Sequence, residues 1–159
     1  MQDVNVVVVF FSRTGATEQL ALAAAVGAVQ GRANIRLRRL PDVADEATIA
    51  GNPQWKENRE RMNKEYVAPR ETDAAWADAI VIGIAAGTDN VSPEFGAYTG
   101  KIGAVFADGS GNHALRASME RAGLIVLPDE RASDALTQAR LLGRRAAEAA
   151  RSRRATTSG

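Results

Sequence analysis

The sequence contains no cysteine. That excludes a disulfide scaffold, a thiolate zinc or iron–sulfur site and a catalytic thiol. It has a single histidine, His113. With one imidazole, no thiolate and no carboxylates spaced as a ligand set, no metal site is expected. Aromatic residues make up only 5% of the chain, and none lies among the arginines of residues 140–154 to stack on a nucleic-acid base. No charge of one sign dominates: 20 Lys and Arg stand against 19 Asp and Glu, for a net charge of +1. A nucleic-acid partner is therefore not expected. The late arginines (Arg140, Arg144, Arg145, Arg151, Arg153 and Arg154) read as cations on a C-terminal helix, where they complement its dipole. Long apolar runs are missing too. Residues 6–11 and 80–86 fall far short of the ~20 needed for a membrane span. No basic start followed by an apolar stretch marks a signal peptide, so a cytoplasmic protein is expected.

What remains is 159 residues, 45% of them hydrophobic. That is enough to bury a core in one domain, expected over residues 1–154 with a flexible tail at 155–159. Residues 4–11 form an unbroken β-branched and aromatic run, the mark of a strand buried on both faces. Residues 18–30 are rich in Ala and Leu and predict a helix. Residues 33–40 alternate Ile35 and Leu37 with Arg36 and Arg38, which predicts an edge strand with one solvated face. A polar helix is expected over 54–66, with Trp55, Met62 and Tyr66 on one side. Thr72 is expected to cap a short helix carrying Trp76. A third strand follows at 79–86. Ser92, Pro93 and Glu94 predict a helix start, with its end at Gly100. A fourth strand at 102–107, a helix capped by Asn112, a fifth strand at 124–127 and a last helix from Ser133 to about Arg154 complete the pattern. Strands and helices alternate, so the fold class is α/β: three layers, with a five-stranded parallel sheet and helices on both faces.

In such sheets ligands bind beyond the carboxyl ends of the strands. The loops after strands one, three and four are therefore the candidates. The first contains Ser12, Arg13, Thr14, Gly15, Ala16 and Thr17. Hydroxyls, a glycine and backbone N–H groups at a helix start suit one phosphate group. No Lys stands where a Walker A loop needs one. The alternative is an ordinary strand–helix turn capped by Thr14. Glu18 suits the helix dipole, but would repel an anion if its side chain pointed inward. Residues 109–114 fit Gly-x-Gly-x-x-Ala, with Asp129 and Glu130 about twenty residues on, as in dinucleotide sites. Only one strand follows, too little for a dinucleotide domain. The tyrosine and phenylalanine after the second loop, Tyr98 and Phe95, share a helix face and are expected to pack in the core.

The stretch Phe11-Ser-Arg-Thr-Gly-Ala-Thr-Glu18 after an apolar strand resembles the phosphate loop of the flavodoxin-like superfamily. Residues 77–83 are similar to its third strand. Residues 87–92 resemble the corresponding loop of the FMN-dependent NAD(P)H:quinone oxidoreductases of the tryptophan-repressor-binding-protein type. The resemblance covers residues 4 to about 128. It implies a strand order of 2-1-3-4-5 and an FMN site. Ser12, Arg13, Thr14, Gly15, Ala16 and Thr17 would hold the phosphate. Ala85, Ala86, Gly87, Thr88, Asp89, Asn90 and Val91 would line one side of the isoalloxazine, and Asp108, Gly109, Ser110 and Gly111 its other edge. His113 would bond a flavin carbonyl or a quinone, or shuttle a proton; its plainer alternative is an exposed residue in a helix first turn.

The implied function is an oxidoreductase passing electrons from NAD(P)H through FMN to a quinone or flavin acceptor. Its partners would be a small-molecule electron donor and acceptor, and it would form a homo-oligomer. Two other readings stay open. One is a flavodoxin-type electron carrier, although carriers are usually strongly acidic. The other is a flavodoxin-like protein with an eroded flavin site and a non-catalytic binding role, because the second loop reads Ile84-Ala-Ala-Gly-Thr-Asp-Asn90.

Overall fold

The computed structural model of the protein describes residues 3–12, 15–41, 46–84, 94–106, 112–128 and 132–157. Five parallel strands form one sheet: β1 (Val4–Phe11), β2 (Ala33–Arg39), β3 (Ala79–Ile84), β4 (Ile102–Val105) and β5 (Ile125–Val126). Their order is β2-β1-β3-β4-β5. Six helices accompany them among the described residues: α1 (Ala16–Gln30), α2 (Glu46–Ala50), α3 (Pro53–Glu65), α4 (Glu71–Trp76), α5 (Asn112–Arg121) and α6 (Ala135–Thr157). The expected fold class and strand order are both present. Residues 13–14, 85–93 and 107–111 fall outside the description.

The pleat of β1 divides the core. Val4, Val6, Val8 and Phe10 face one layer, built from α1 and α6. Val7, Val9 and Phe11 face the other, where Ile49, Trp55, Ala74, Phe95, Tyr98 and Met119 pack. Both faces of β1 are buried because both are covered by helices, as its unbroken apolar run requires. Helices α1 and α6 cross so closely that a Cβ on Gly143 would lie 2.0 Å from the Ala24 carbonyl oxygen. Trp55 belongs to one cluster and Met62 to the other. Helix α3 therefore links the two layers, and its far end packs where β1 stops: the Tyr66 ring meets Phe10 edge-on, with centroids 5.0 Å apart.

Several local expectations need correction. The arginine face of β2 is not simply solvated. Arg36 and Arg38 both reach Asp73 of α4, at 3.1 and 2.9 Å. The Asp73 side chain is fully buried, and the Arg36 guanidinium lies 4.3 Å from the centre of the Trp76 ring. A charged strand face is thus covered by a helix carrying the opposite charge. Thr72 lies inside α4 rather than capping it. The Asp73 carboxylate instead accepts the Arg70 backbone N–H at 2.8 Å.

Between Glu94 and Gly100 there is only a 3-10 turn, Gly96–Tyr98, in place of the expected helix. Phe95 and Tyr98 are both buried in one core cluster. The three-residue repeat of a 3-10 turn aligns side chains at i and i+3, which lets both point inward. Asn112 is the first residue of α5 rather than its cap. Helix α6 runs to Thr157, three residues past the end read from the sequence.

Candidate functional site

Strands β1, β3 and β4 are adjacent and parallel. The segments that follow them therefore leave from one end of the sheet. From β1 the chain moves outward to β2, then returns to the other side for β3. The end of β1 is thus the switch point at which open α/β sheets bind ligands.

At that point Ser12 is 1% exposed, and its Oγ accepts the Gly15 backbone N–H at 3.0 Å. Gly15 takes φ of +105°, a left-handed conformation that costs an L side chain about 1–2 kcal/mol. This sharp reversal turns the chain from strand to helix. The first helical bond follows at once, from the Gln19 N–H to the Gly15 carbonyl at 3.1 Å. The first-turn N–H groups of α1 face outward from the helix start, where their partial positive charge favours an anion. Thr17 is buried in that turn and Ala16 is exposed beside it.

The carboxylate of Glu18 completes the turn. It is 3% exposed, and one oxygen lies 3.8 Å from where a Cβ on Gly15 would stand. It does not project into solvent above the loop. Arg61 grips it with two hydrogen bonds, at 2.6 and 3.0 Å, and the Tyr66 hydroxyl donates a third at 2.5 Å. The Arg61 bonds, aided by Tyr66 and by the nearby charge of Arg39, outweigh burial and hold the Glu18 carboxyl below the usual glutamate range. The same contact raises Arg61 further above its ordinary value. Burial, and then the Glu18 carboxylate, push the Tyr66 phenol well above the usual tyrosine range.

Arg39 is 4% exposed at the end of β2. It donates to the Asn63 side-chain oxygen at 3.1 Å and to the Ser12 carbonyl at 3.4 Å. Its guanidinium lies 5.8 Å from the centre of the Phe11 ring. The loop is therefore backed by two residues of α3, Arg61 and Asn63, through Glu18 and Arg39.

Of the site residues read from the sequence, the structure brings Ser12, Gly15, Ala16 and Thr17 together in one turn. Arg13 and Thr14 lie outside the described residues. So do Ala85, Ala86, Gly87, Thr88, Asp89, Asn90 and Val91, and likewise Asp108, Gly109, Ser110 and Gly111, with which most of the dinucleotide-like pattern falls out of view. His113 is exposed in the first turn of α5. Among the described residues no group of three His, Cys, Asp or Glu is placed to hold a metal. No described helix is long and apolar enough to cross a membrane.

Sequence reasoning missed Arg39, Asn63 and Arg61, and it named Tyr66 only as part of a helix stripe, without its bond to Glu18. One signal was available for Arg39: with β2 beside β1, the last residue of β2 stands opposite Phe10, next to the loop.

The residues present fit a phosphate monoester. A left-handed glycine, a buried hydroxyl and a helix start converge at the switch point, and the Glu18 carboxylate beside them is already engaged. An archaeal flavodoxin superimposes with a TM-score of 0.63 at 18% identity, covering 92% of this chain and 99% of its own. A diflavin flavoprotein A3 from Nostoc sp. gives 0.65 at 13% identity, covering 99% of both chains. The two-electron reduced flavodoxin of Megasphaera elsdenii gives 0.55 at 20% identity, over 90% of this chain and 98% of its own.

By sequence, no family model matches. A Deinococcus radiodurans protein named NAD(P)H dehydrogenase (quinone) is 28% identical over 106 residues, 67% of this chain and 52% of that protein. A protein of the same name from Brucella suis is 29% identical over 107 residues, 67% of this chain and 51% of that protein. The chain thus spans about half the length of the curated relatives it matches. The protein has a flavodoxin-like fold, and its sequence is similar to proteins named NAD(P)H dehydrogenase (quinone).

Proposed function

We propose that this chain binds FMN and is an oxidoreductase that takes electrons from NAD(P)H and passes them to a quinone or flavin acceptor. The observation that carries the reading is the turn from Ser12 to Thr17 at the switch point, with Gly15 left-handed and Glu18 engaged from behind. Sequence relatives named NAD(P)H dehydrogenase (quinone) supply the reaction class. In this reading residues 12–17 hold the phosphate. Residues 85–91 and 108–111, which follow β3 and β4, line the isoalloxazine.

When bound, the flavin supplies the two-electron chemistry; the protein supplies binding, orientation and electrostatics. Here Gly15 lets the backbone approach the phosphate closely, with no Cβ in the way. The α1 first turn directs its N–H groups at the anion. Ser12 fixes the turn by accepting the Gly15 N–H. Arg39 donates to the Ser12 carbonyl, which ties the end of β1 to β2. His113 is kept as a candidate for contact with the substrate from the α5 start.

A second reading, a flavodoxin-type electron carrier, has its own support. The archaeal flavodoxin shares the fold over 92% of this chain. The test is NADH and NADPH oxidation by the FMN-loaded protein with a soluble quinone added. Quinone-dependent turnover is expected. FMN binding without turnover would favour the carrier. No FMN binding at all would leave a non-catalytic member of the fold.

A further inference from the structure

The proposed phosphate loop carries an apparent flaw. Glu18 stands in the first turn of the helix whose start would receive the anion, with an oxygen 3.8 Å from the Cβ position of Gly15. An uncompensated carboxylate there would repel a phosphate. The structure shows what compensates it. Arg61 comes from α3, 43 residues away in sequence, and binds Glu18 bidentately. Tyr66 adds a hydrogen bond to the oxygen that receives the longer Arg61 contact. The Arg61 side chain is 41% exposed while that of Glu18 is 4% exposed. The arginine thus lies over the carboxylate rather than within the core. Arg61 also meets Glu65 at 2.8 Å, an exposed i,i+4 pair on α3.

We propose that Arg61 is the specificity-determining positioning residue of the loop. By neutralising Glu18 and holding it against α3, it leaves the α1 start positive enough to prefer a phosphate-bearing flavin over an uncharged one. The inference rests on the FMN reading of the site. It gives helix α3 a role that an ordinary structural tie would not have. A tie would stabilise the loop for any ligand. A charge screen discriminates between FMN and riboflavin, which share the ring system and differ by the phosphate.

The test measures FMN and riboflavin affinity by quenching of flavin fluorescence in four proteins: wild type, Arg61→Met, Glu18→Gln and the double variant. Arg61 is partly exposed, so its replacement by Met keeps much of its packing, and thermal unfolding checks that each variant is folded. One uncompensated charge within about a helical turn of an anion changes affinity by roughly tenfold to thirtyfold. Arg61→Met is therefore expected to weaken FMN binding by about that factor and to leave riboflavin binding within about threefold. Adding Glu18→Gln to Arg61→Met is expected to restore most of the FMN affinity, because the repelling charge is then gone.

That rescue is the signature of a charge screen. If Arg61→Met weakens both flavins equally, or the double variant binds FMN no better than Arg61→Met, the inference is overturned and Arg61 is a structural tie. Should Arg61→Met not fold, Glu18→Gln and the double variant carry the test. Both are then expected to hold FMN within about threefold of wild type, and a larger, shared loss of FMN and riboflavin affinity overturns the inference. If the wild type itself binds FMN no better than riboflavin, it is the FMN reading that fails.

Discussion

Replacing Asp73 by Asn removes one negative charge at the junction of α4 and the edge strand. The carboxylate is fully buried and accepts from Arg38 at 2.9 and 3.2 Å, from Arg36 at 3.1 Å and from the Arg70 backbone N–H at 2.8 Å. Hydrogen bonds to charged groups are each worth about 1.5–3 kcal/mol. Asparagine keeps an acceptor oxygen, and the side chains of Arg36 and Arg38 are 34% and 16% exposed, so water recovers part of the loss. The expected cost is about 3 kcal/mol, or roughly 6–12 °C in Tm for a chain of this size. Burial alone would raise the Asp73 pKa, but the bonds from Arg38, Arg70 and Arg36 outweigh it and hold the carboxyl below its ordinary value of 3.8. A depressed folded pKa means the stabilisation is complete above that ordinary value and is lost as pH falls through the folded one. The gap between wild type and Asp73→Asn in urea unfolding is therefore expected to be flat from about pH 8 to pH 5 and to close below about pH 4. A gap under about 1 kcal/mol at pH 7, or one that widens toward acid, would refute the account of this cluster.

Other perturbations follow from the same contacts. Tyr66→Phe keeps the edge-on contact with Phe10 and loses the bond to Glu18; a loss of about 1 kcal/mol in urea unfolding is expected, and an unchanged midpoint would show that the hydroxyl contributes nothing. Gly15→Ala is expected to cost about 1–2 kcal/mol and to weaken FMN binding together with stability, whereas tighter binding would contradict a left-handed turn. Gly143→Ala forces the α1–α6 crossing apart, since its Cβ would stand 2.0 Å from the Ala24 carbonyl. A loss of about 3 kcal/mol or more is expected in thermal unfolding, and a neutral result would mean the helices pack less closely than described.

Local pattern carried much of the fold. The unbroken run over 4–11 is the strand β1, buried on both faces, and the Arg-bearing strand stands at the sheet edge. Alternating strands and helices predicted a parallel sheet, and the resemblance of residues 11–18 to a known loop supplied the order. What escaped was set by long-range pairing. Periodicity predicts a solvated face for Arg36 and Arg38, because it carries no sign that Asp73 crosses to them. Nor does it distinguish a 3-10 turn from the helix that Pro93 and Glu94 advertise, because both place Phe95 and Tyr98 on one side. In the site, the residue types of the first loop were legible because they are contiguous. The direction of the Glu18 side chain was not, since Arg61 and Tyr66 decide it from 43 and 48 residues away.

The central claim is that residues 12–17 hold the phosphate of a flavin. It is tested most directly by an absorbance spectrum after loading the purified protein with FMN and desalting, for the wild type and for a Thr14→Ala, Thr17→Ala variant shown to be folded. The account predicts a retained yellow flavin band in the wild type and its loss in the variant. A wild type that emerges colourless and does not quench FMN fluorescence, or a variant that retains the band in full, would contradict it.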